Sequence, residues 1–175
     1  MHRFATVCSK TTLVAWLALA ACATQAHVTL ASPQAVAGQY GRVVLQVPHG
    51  CAGQATVAIT VHVPPRLLVA KPMPKPGWRL TVQQAKLAQP VQLHGRSVTE
   101  STSLVRWEGG PLPDAHFDEF VLFGRFADGP SSSVPFRTVQ TCEVGEVDWA
   151  GPPGSATPAP MLQIDDAPAG GTHHH

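Results

Sequence analysis

The stretch ATVAITVHV, residues 55–63, decides the fold. Its apolar side chains alternate with small or polar ones, so that one face carries Val57, Ile59, Val61 and Val63 and the other carries Thr56, Ala58, Thr60 and His62. Alternation with a period of two is typical of a β-strand. The stretch therefore predicts a strand with one face turned to a core.

Similar short runs, rich in β-branched residues, surround this strand on both sides. Seventeen prolines and fifteen glycines separate them in a chain of 175 residues. Such a pattern is typical of an all-β sandwich. We predict strands at residues 28–30, 41–47, 55–63, 78–84, 102–107, 117–126, 136–142 and 146–149, with a rigid proline-rich loop at 71–77.

The first 26 residues have the form of a secretory signal. Arg3 and Lys10 precede an apolar run at residues 12–22, and Thr24-Gln25-Ala26 is a small-residue cleavage site. The apolar run is too short to span a bilayer comfortably. We therefore expect a signal peptide at 1–26 and a periplasmic mature protein that begins at His27.

A second cleavage site competes with the first. Leu19-Ala20-Ala21-Cys22 resembles a lipoprotein signal, and cleavage before Cys22 would attach lipid there. His27 would then lie inside the chain, and its backbone nitrogen would be an amide. Membrane anchoring is expected only in that case.

The mature chain is expected to form one domain, residues 27–150, followed by a disordered tail. Residues 151–175 are rich in Gly, Pro, Ala and Ser and end in three histidines, His173 to His175. The formal net charge of +1 on the whole chain gives no reason to expect a nucleic acid partner. The sequence has no nucleophile motif, phosphate loop or supported pair of catalytic carboxylates, so we do not expect an enzyme.

Two cysteines, Cys51 and Cys142, remain after removal of the leader, which contains Cys8 and Cys22. In an oxidising compartment, two remaining thiols favour one disulfide. A copper thiolate site is the alternative, although no C-x-x-C or Cys-His-Met grouping accompanies either residue.

At a new amino terminus, His27 would offer two nitrogen donors, the α-amine and the imidazole Nδ1. Together they can close a chelate ring on one metal ion. Cu(II) stands first in the affinity order for nitrogen and oxygen donors and accepts square-planar geometry. The α-amine has a pKa of about 8, so a metal displaces its proton at neutral pH with little cost.

Several motifs, in order, resemble the YcnI-like family of exported copper-binding proteins. They are Ala26-His27-Val28-Thr29-Leu30 after the leader, Pro-x-Pro-Gly-Trp at 74–78, Phe-Asp-Glu-Phe at 117–120, and Val139-Gln140 followed by Gly-Glu-Val-Asp-Trp at 145–149. The resemblance covers about residues 27–150. Its specificity comes from the order and spacing of the motifs together.

The resemblance implies an immunoglobulin-like or cupredoxin-like sandwich that binds Cu(II) through a mono-histidine brace. His27 matches the brace histidine and Trp149 the tryptophan close to the metal. Glu119 is the best match for the carboxylate ligand, and Asp118 is the alternative. The implied role is copper storage, sensing or delivery, with other periplasmic copper chaperones or transporters as partners.

Two other functions fit parts of the sequence. A copper oxygenase would need a second imidazole, which His62, His94 or His116 would have to supply; a carboxylate in that place should stabilise Cu(II) and slow redox cycling. A metal-free adhesion or scaffold sandwich is the other alternative, because the fold is widely used for binding.

Overall fold

A computed structural model gives the structure of the protein, which is described for residues 27–167. This range contains twelve strands and no helix. The described residues therefore include no helix that could cross a membrane. The strands are β1 (Thr29–Leu30), β2 (Gln34–Val36), β3 (Tyr40–Val47), β4 (Thr56–His62), β5 (Leu67–Pro72), β6 (Trp78–Leu93), β7 (Arg96–Leu112), β8 (Asp118–Phe126), β9 (Ser132–Pro135), β10 (Thr138–Cys142), β11 (Glu146–Trp149) and β12 (Met161–Asp165). The predicted signal peptide, residues 1–26, lies outside the described residues.

Two antiparallel sheets form the sandwich. The first has the order β1-β3-β8-β5 and the second the order β11-β10-β4-β7-β6. Side chains from both, such as Leu45, Ile59 and Trp107, are fully buried in one core. A small third sheet, β2-β12-β9, lies beside them. The predicted all-β sandwich is therefore confirmed.

The deciding stretch forms β4, in the middle of the second sheet between β10 and β7. Ile59 and Val61 are fully buried, as the alternation predicts, whereas Val57 is only half-buried, at the register shift between Thr56 and Ala58. The opposite face is more buried than expected, since Thr56, Ala58 and Thr60 are also buried. Hydrogen bonds to neighbouring strands satisfy the two threonine hydroxyls there. Thr60 Oγ1 accepts a hydrogen bond from Arg106 at 2.8 Å, and Thr56 Oγ1 accepts one from Gln140 at 2.8 Å.

The proline-rich loop is only partly a loop. Lys71 and Pro72 belong to β5, which pairs with β8 at the edge of the first sheet. An edge strand tolerates proline because one side of its backbone has no ladder to maintain. The pairing is irregular between Leu68 and Lys71, and Val69 within this bulge has a positive φ of 47°.

A long hairpin, β6–β7, extends well beyond the two strands predicted at 78–84 and 102–107. Its pairing is interrupted between Lys86 and Val91, and its tip is a two-residue turn at His94 and Gly95, both with positive φ. Such a turn matches the twist of the flanking strands. Side chains of β7 also bond the backbone of β5: Ser101 Oγ accepts from Val69 N–H at 3.0 Å. The hairpin therefore covers the β5 edge.

The prediction of a disordered tail from residue 151 is wrong for residues 151–167. Strand β12 pairs in parallel with β2 and antiparallel with β9, and Leu162 and Ile164 enter the core. Two alternating apolar residues are enough to form this strand, because β2 and β9 supply backbone hydrogen bonds on both of its sides. Residues 168–175, with the terminal histidines, lie outside the described residues.

The disulfide between Cys51 and Cys142 is confirmed. It joins the loop after β3 to the end of β10, with a Cα–Cα distance of 6.0 Å and a sequence separation of 91 residues. Closing so long a loop stabilises the fold by about 3 to 5 kcal/mol in the chain-entropy account.

The burial of β12 gives a test of the corrected domain boundary. Ile164→Ala should lower the free energy of unfolding by about 2 to 5 kcal/mol, because it leaves a cavity at a fully buried position. Val144→Ala removes an apolar group that is 73 % exposed and should change stability by less than about 0.5 kcal/mol. Urea unfolding measures both, and equal small effects would show that β12 is dispensable.

Candidate functional site

The start of the described chain is held at one edge of the first sheet. Thr29 lies opposite Gln46 of β3 and Leu30 opposite Leu45. Val28 is buried, with only 2 % of its surface exposed, and Leu30 is also in the core. These two apolar anchors fix the position of His27 at one end of the sandwich.

His27 packs against Trp149. Their ring centroids are 5.5 Å apart, with 54° between the ring planes. Strand β11, which carries Trp149, is at the edge of the second sheet, whereas β1 is at the edge of the first. The two edges thus meet at this contact, and the structure brings together two of the three predicted site residues.

Trp149 is held in one orientation by Gln140. The indole Nε1–H donates to Gln140 Oε1 at 3.1 Å. The amide Nε2 of Gln140 donates in turn to His49 O and to Thr56 Oγ1, both at 2.8 Å. Gln140 and Trp149 are almost fully buried. A buried amide with both ends bonded strongly restricts the indole that it contacts.

The disulfide borders this group of buried polar residues. Cys142 follows Gln140 by two residues on β10, and Cys51 follows His49 by two residues in the loop after β3. Asp114 Oδ1 accepts a hydrogen bond from Gly50 N–H at 3.0 Å, in the same loop. The loop after β3, which accepts the Gln140 hydrogen bond, is therefore held by the disulfide at Cys51 and by Asp114 at Gly50.

The two candidate carboxylates differ in their surroundings. Asp118 Oδ1 lies 2.6 Å from Lys75 Nζ and also accepts the Glu119 backbone N–H at 2.8 Å. Glu119 accepts a hydrogen bond at Oε1 from Gln46 Nε2, at 3.1 Å. Asp118 is therefore already paired with a cation, whereas the partner of Glu119 is a neutral amide.

Glu119 lies two strands away from β1. Thr29, Gln46 and Glu119 lie side by side on β1, β3 and β8. At a spacing of about 4.8 Å between strands, Glu119 is roughly 10 Å across the sheet from β1. The structure thus pairs Glu119 with Gln46 and His27 with Trp149. Among residues 27–167, no group of three or more His, Cys, Asp or Glu residues is arranged to hold a metal ion.

The other histidines lie in different surroundings. The pKa of His62 is lowered by burial and by nearby Arg137, against a smaller opposite effect of Asp148. His94 Nε2 is 3.0 Å from Tyr40 Oη, at the end of β3 opposite to His27. His116 is exposed in the loop before β8. None of the three belongs to the group that holds Trp149.

Sequence reasoning did not identify Gln140 and Gln46 as parts of the site. A weak signal for Gln140 exists, because it is two residues from Cys142 on a strand whose alternate residues face inward. A polar residue at such a position needs a buried partner. For Gln46 we find no comparable signal, since a polar residue on the outer face of a sheet is ordinary.

The fold and the site define an immunoglobulin-like β-sandwich with a histidine–tryptophan contact at one end. A solved structure agrees: an uncharacterized protein from Nocardia farcinica with an immunoglobulin-like fold aligns with a TM-score of 0.59 and 28 % identity, covering 79 % of this chain and 98 % of that one. No curated protein matches the chain.

Residues 27–164 match the family model described as a domain of unknown function (DUF1775). The chain belongs to this family, which is the YcnI-like family that its motifs resemble. The match begins at His27 and ends at residue 164, within β12, in agreement with the corrected end of the domain.

The hydrogen bond between Gln140 and Trp149 can be measured by a double-mutant cycle. Gln140→Leu should cost about 1 to 3 kcal/mol of stability, because it leaves the buried indole N–H without an acceptor. In a Trp149→Phe background the cost should be smaller. Trp107→Phe is the matched control, because the Trp107 indole donates to Met73 O. The same cost of Gln140→Leu in all three backgrounds would contradict the contact.

The lowered pKa of His62 predicts a pH effect on stability. The folded state binds a proton at His62 less readily than the unfolded state, whose histidine has the ordinary value of 6.5. Protonation of His62 therefore has no effect on stability well above pH 6.5, and the folded state loses stability as pH falls from 6.5 toward the lower pKa of the folded state. His62→Gln should flatten the dependence between about pH 5 and pH 7, measured by urea unfolding. His116→Gln should retain it, and a wild-type slope in His62→Gln would contradict the assignment.

Proposed function

We propose that the mature protein is a periplasmic copper-binding protein that holds one Cu(II) ion at His27 for storage, sensing or delivery. The contact between His27 and Trp149 is the observation that carries the proposal. A histidine anchored at the start of the domain, with a buried indole fixed beside it, fits a site at which a free amine and an imidazole bind one ion.

The chemistry of the donors favours Cu(II). One residue supplies two nitrogens at a fixed separation, so only one side chain has to be ordered for two bonds. Nitrogen and oxygen donors bind Cu(II) more tightly than the other common divalent metals of the first transition row. A brace of this kind needs only two metal-binding side chains, His27 and one carboxylate. It does not require a group of three or more His, Cys, Asp or Glu side chains.

Glu119 is the better candidate for the carboxylate. Asp118 would have to leave Lys75, and the pair they form is only partly exposed. Glu119 would exchange, or share, a hydrogen bond from neutral Gln46. Its distance across the sheet means that His27 and Glu119 must extend toward each other over Gln46. The proposal therefore includes a local adjustment of these side chains on binding.

Trp149 would act on the bound ion without being a main ligand. Its indole is 2 % exposed, and its N–H is occupied by Gln140. The aromatic π-face attracts cations, and the apolar bulk keeps water away from one side. The amine and imidazole donate the electron pairs, while Trp149 limits access of competing ligands.

Binding and delivery fit this site better than oxygen activation. The three histidines considered as a second imidazole are engaged elsewhere or exposed: His62 is near Arg137 and Asp148, His94 contacts Tyr40, and His116 lies in a loop. We propose that partners are copper chaperones or transporters of the same compartment, which would exchange the ion at the open side of His27.

Copper titration of protein that begins at His27 tests the proposal. We expect one Cu(II) per chain, nitrogen coupling in the electron paramagnetic resonance spectrum, and quenching of Trp149 fluorescence. His27→Ala should abolish this site. Trp149→Phe should remove most of the quenching while the metal still binds.

Two controls identify the donors. Acetylation of the His27 amino group should weaken copper binding at least about 100-fold, because the amine becomes an amide; undiminished affinity would show that the amine is not a ligand. Glu119→Gln should weaken binding, whereas Asp118→Asn should not. The reverse order would assign the carboxylate to Asp118 and contradict the argument from Lys75.

A further inference from the structure

A second candidate site lies on the outer face of the first sheet, at the end of β3 remote from His27. Tyr40 begins β3 and Val47 ends it, a separation of about 23 Å along the strand. Of the six large apolar side chains that are exposed in residues 27–167, Tyr40 and Phe123 lie at this end of the face, whereas Met73 and Phe117 lie farther along it, toward Glu119. Neighbouring aromatic rings exposed on one face of a domain indicate a binding surface.

The tip of the β6–β7 hairpin reaches this face and borders an open cavity of about 490 Å³. Leu93 and His94 form one wall, and Val69 of β5 forms part of another. The volume lies within the range of small-molecule sites, which is about 300 to 1,000 Å³. The cavity is therefore large enough for a compact organic ligand.

Three nearly parallel rings line the cavity. Tyr40 stacks on His94 with a centroid distance of 5.9 Å and 19° between planes, and on Phe123 at 5.8 Å and 18°. The contact between Tyr40 Oη and His94 Nε2, at 3.0 Å, ties the hairpin tip to β3. Parallel aromatic surfaces that are fixed in this way favour a flat apolar ligand.

The charge around the rings is positive. Lys71 and Arg96 line the cavity, and Arg42 and Lys71 lie on either side of Phe123 in the sheet. Within the described chain, none of these three cations forms an ion pair with a carboxylate, and no carboxylate lines the cavity. Five other cations do form such pairs: Lys75, Arg79, Arg106, Arg125 and Arg137. The cations that remain unneutralised are thus concentrated where the aromatic rings are exposed.

The backbone beneath the cavity is also unusual. Val69, a β-branched residue, has a φ of 47°, a conformation that such residues rarely adopt. The bulge and the hydrogen bond from Val69 N–H to Ser101 Oγ maintain it. Strained backbone of this kind is concentrated at binding sites, where the surrounding structure over-determines it.

We propose that this cavity binds a small organic anion with a flat apolar body, of the aromatic carboxylate class. The carboxylate meets Lys71 and Arg96, and the ring system lies against Tyr40 and Phe123. The inference does not rest on copper binding, because the cavity and His27 are at opposite ends of β3.

Titration with naphthoate and its neutral isostere naphthamide, followed by amide NMR, tests the proposal. Naphthoate should shift the amides of Gly95 and Phe123 saturably and bind at least about tenfold more tightly than naphthamide. The double variant Lys71→Gln/Arg96→Gln should bind naphthoate about tenfold more weakly, whereas its affinity for naphthamide should be unchanged. Both side chains are exposed, so the fold should be retained, and thermal unfolding followed by circular dichroism checks this.

Lys86→Gln is the matched control, because Lys86 is an exposed cation of the same hairpin outside this cavity. It should not change naphthoate affinity. Equal affinity for the two ligands, shifts confined to other residues, or loss in Lys86→Gln alone would overturn the proposal. An acidic peptide that shifts the Gly95 and Phe123 amides when naphthoate does not would also overturn it, and would identify a protein partner instead.

Discussion

The pairing of β3 with β8, which is unbroken from Tyr40 to Val47, positions both ends of the sandwich. Its inward-facing residues, Val43, Leu45 and Val47, are almost completely buried, so a shift of register by one residue would turn this apolar row to solvent. The same register aligns Gln46 with Glu119 at one end and sets Tyr40 beside Phe123 at the other. Because the core allows only this alignment, neither group of surface residues has to be positioned by its own interactions.

A second constraint is the burial of a polar group in the core. Gln140 would be costly there without partners, and the fold supplies three: the Trp149 indole, the His49 carbonyl and the Thr56 hydroxyl. These partners come from β11, the loop after β3, and β4. A single amide thus links parts of the chain that are distant in sequence, and the neighbouring disulfide joins one of them, the loop after β3, covalently to β10, the strand of Gln140.

The sequence predicted the parts of the structure that depend on local pattern or chemistry. The alternation at residues 55–63 predicted β4, and two surviving cysteines predicted the disulfide. It failed for β12, because Met161 to Asp165 follows a run of proline and glycine and becomes a strand only between β2 and β9. It failed similarly for β5, whose ladder ends at a proline. The contact of His27 with Trp149 was predicted by family resemblance, whereas the role of Gln140 required the three-dimensional arrangement.

The parallel pairing of β12 with β2 has a consequence for how the chain matures. Strand β2 emerges from the ribosome early and must wait for a partner made more than a hundred residues later, since Gln34 to Val36 pairs with Gln163 to Asp165. Leu162 and Ile164 complete the hydrophobic interior only at that moment. A nascent polypeptide therefore lacks the strand that completes the third sheet until residue 165 has been made. The domain can therefore close only after both β2 and β12 have been synthesised.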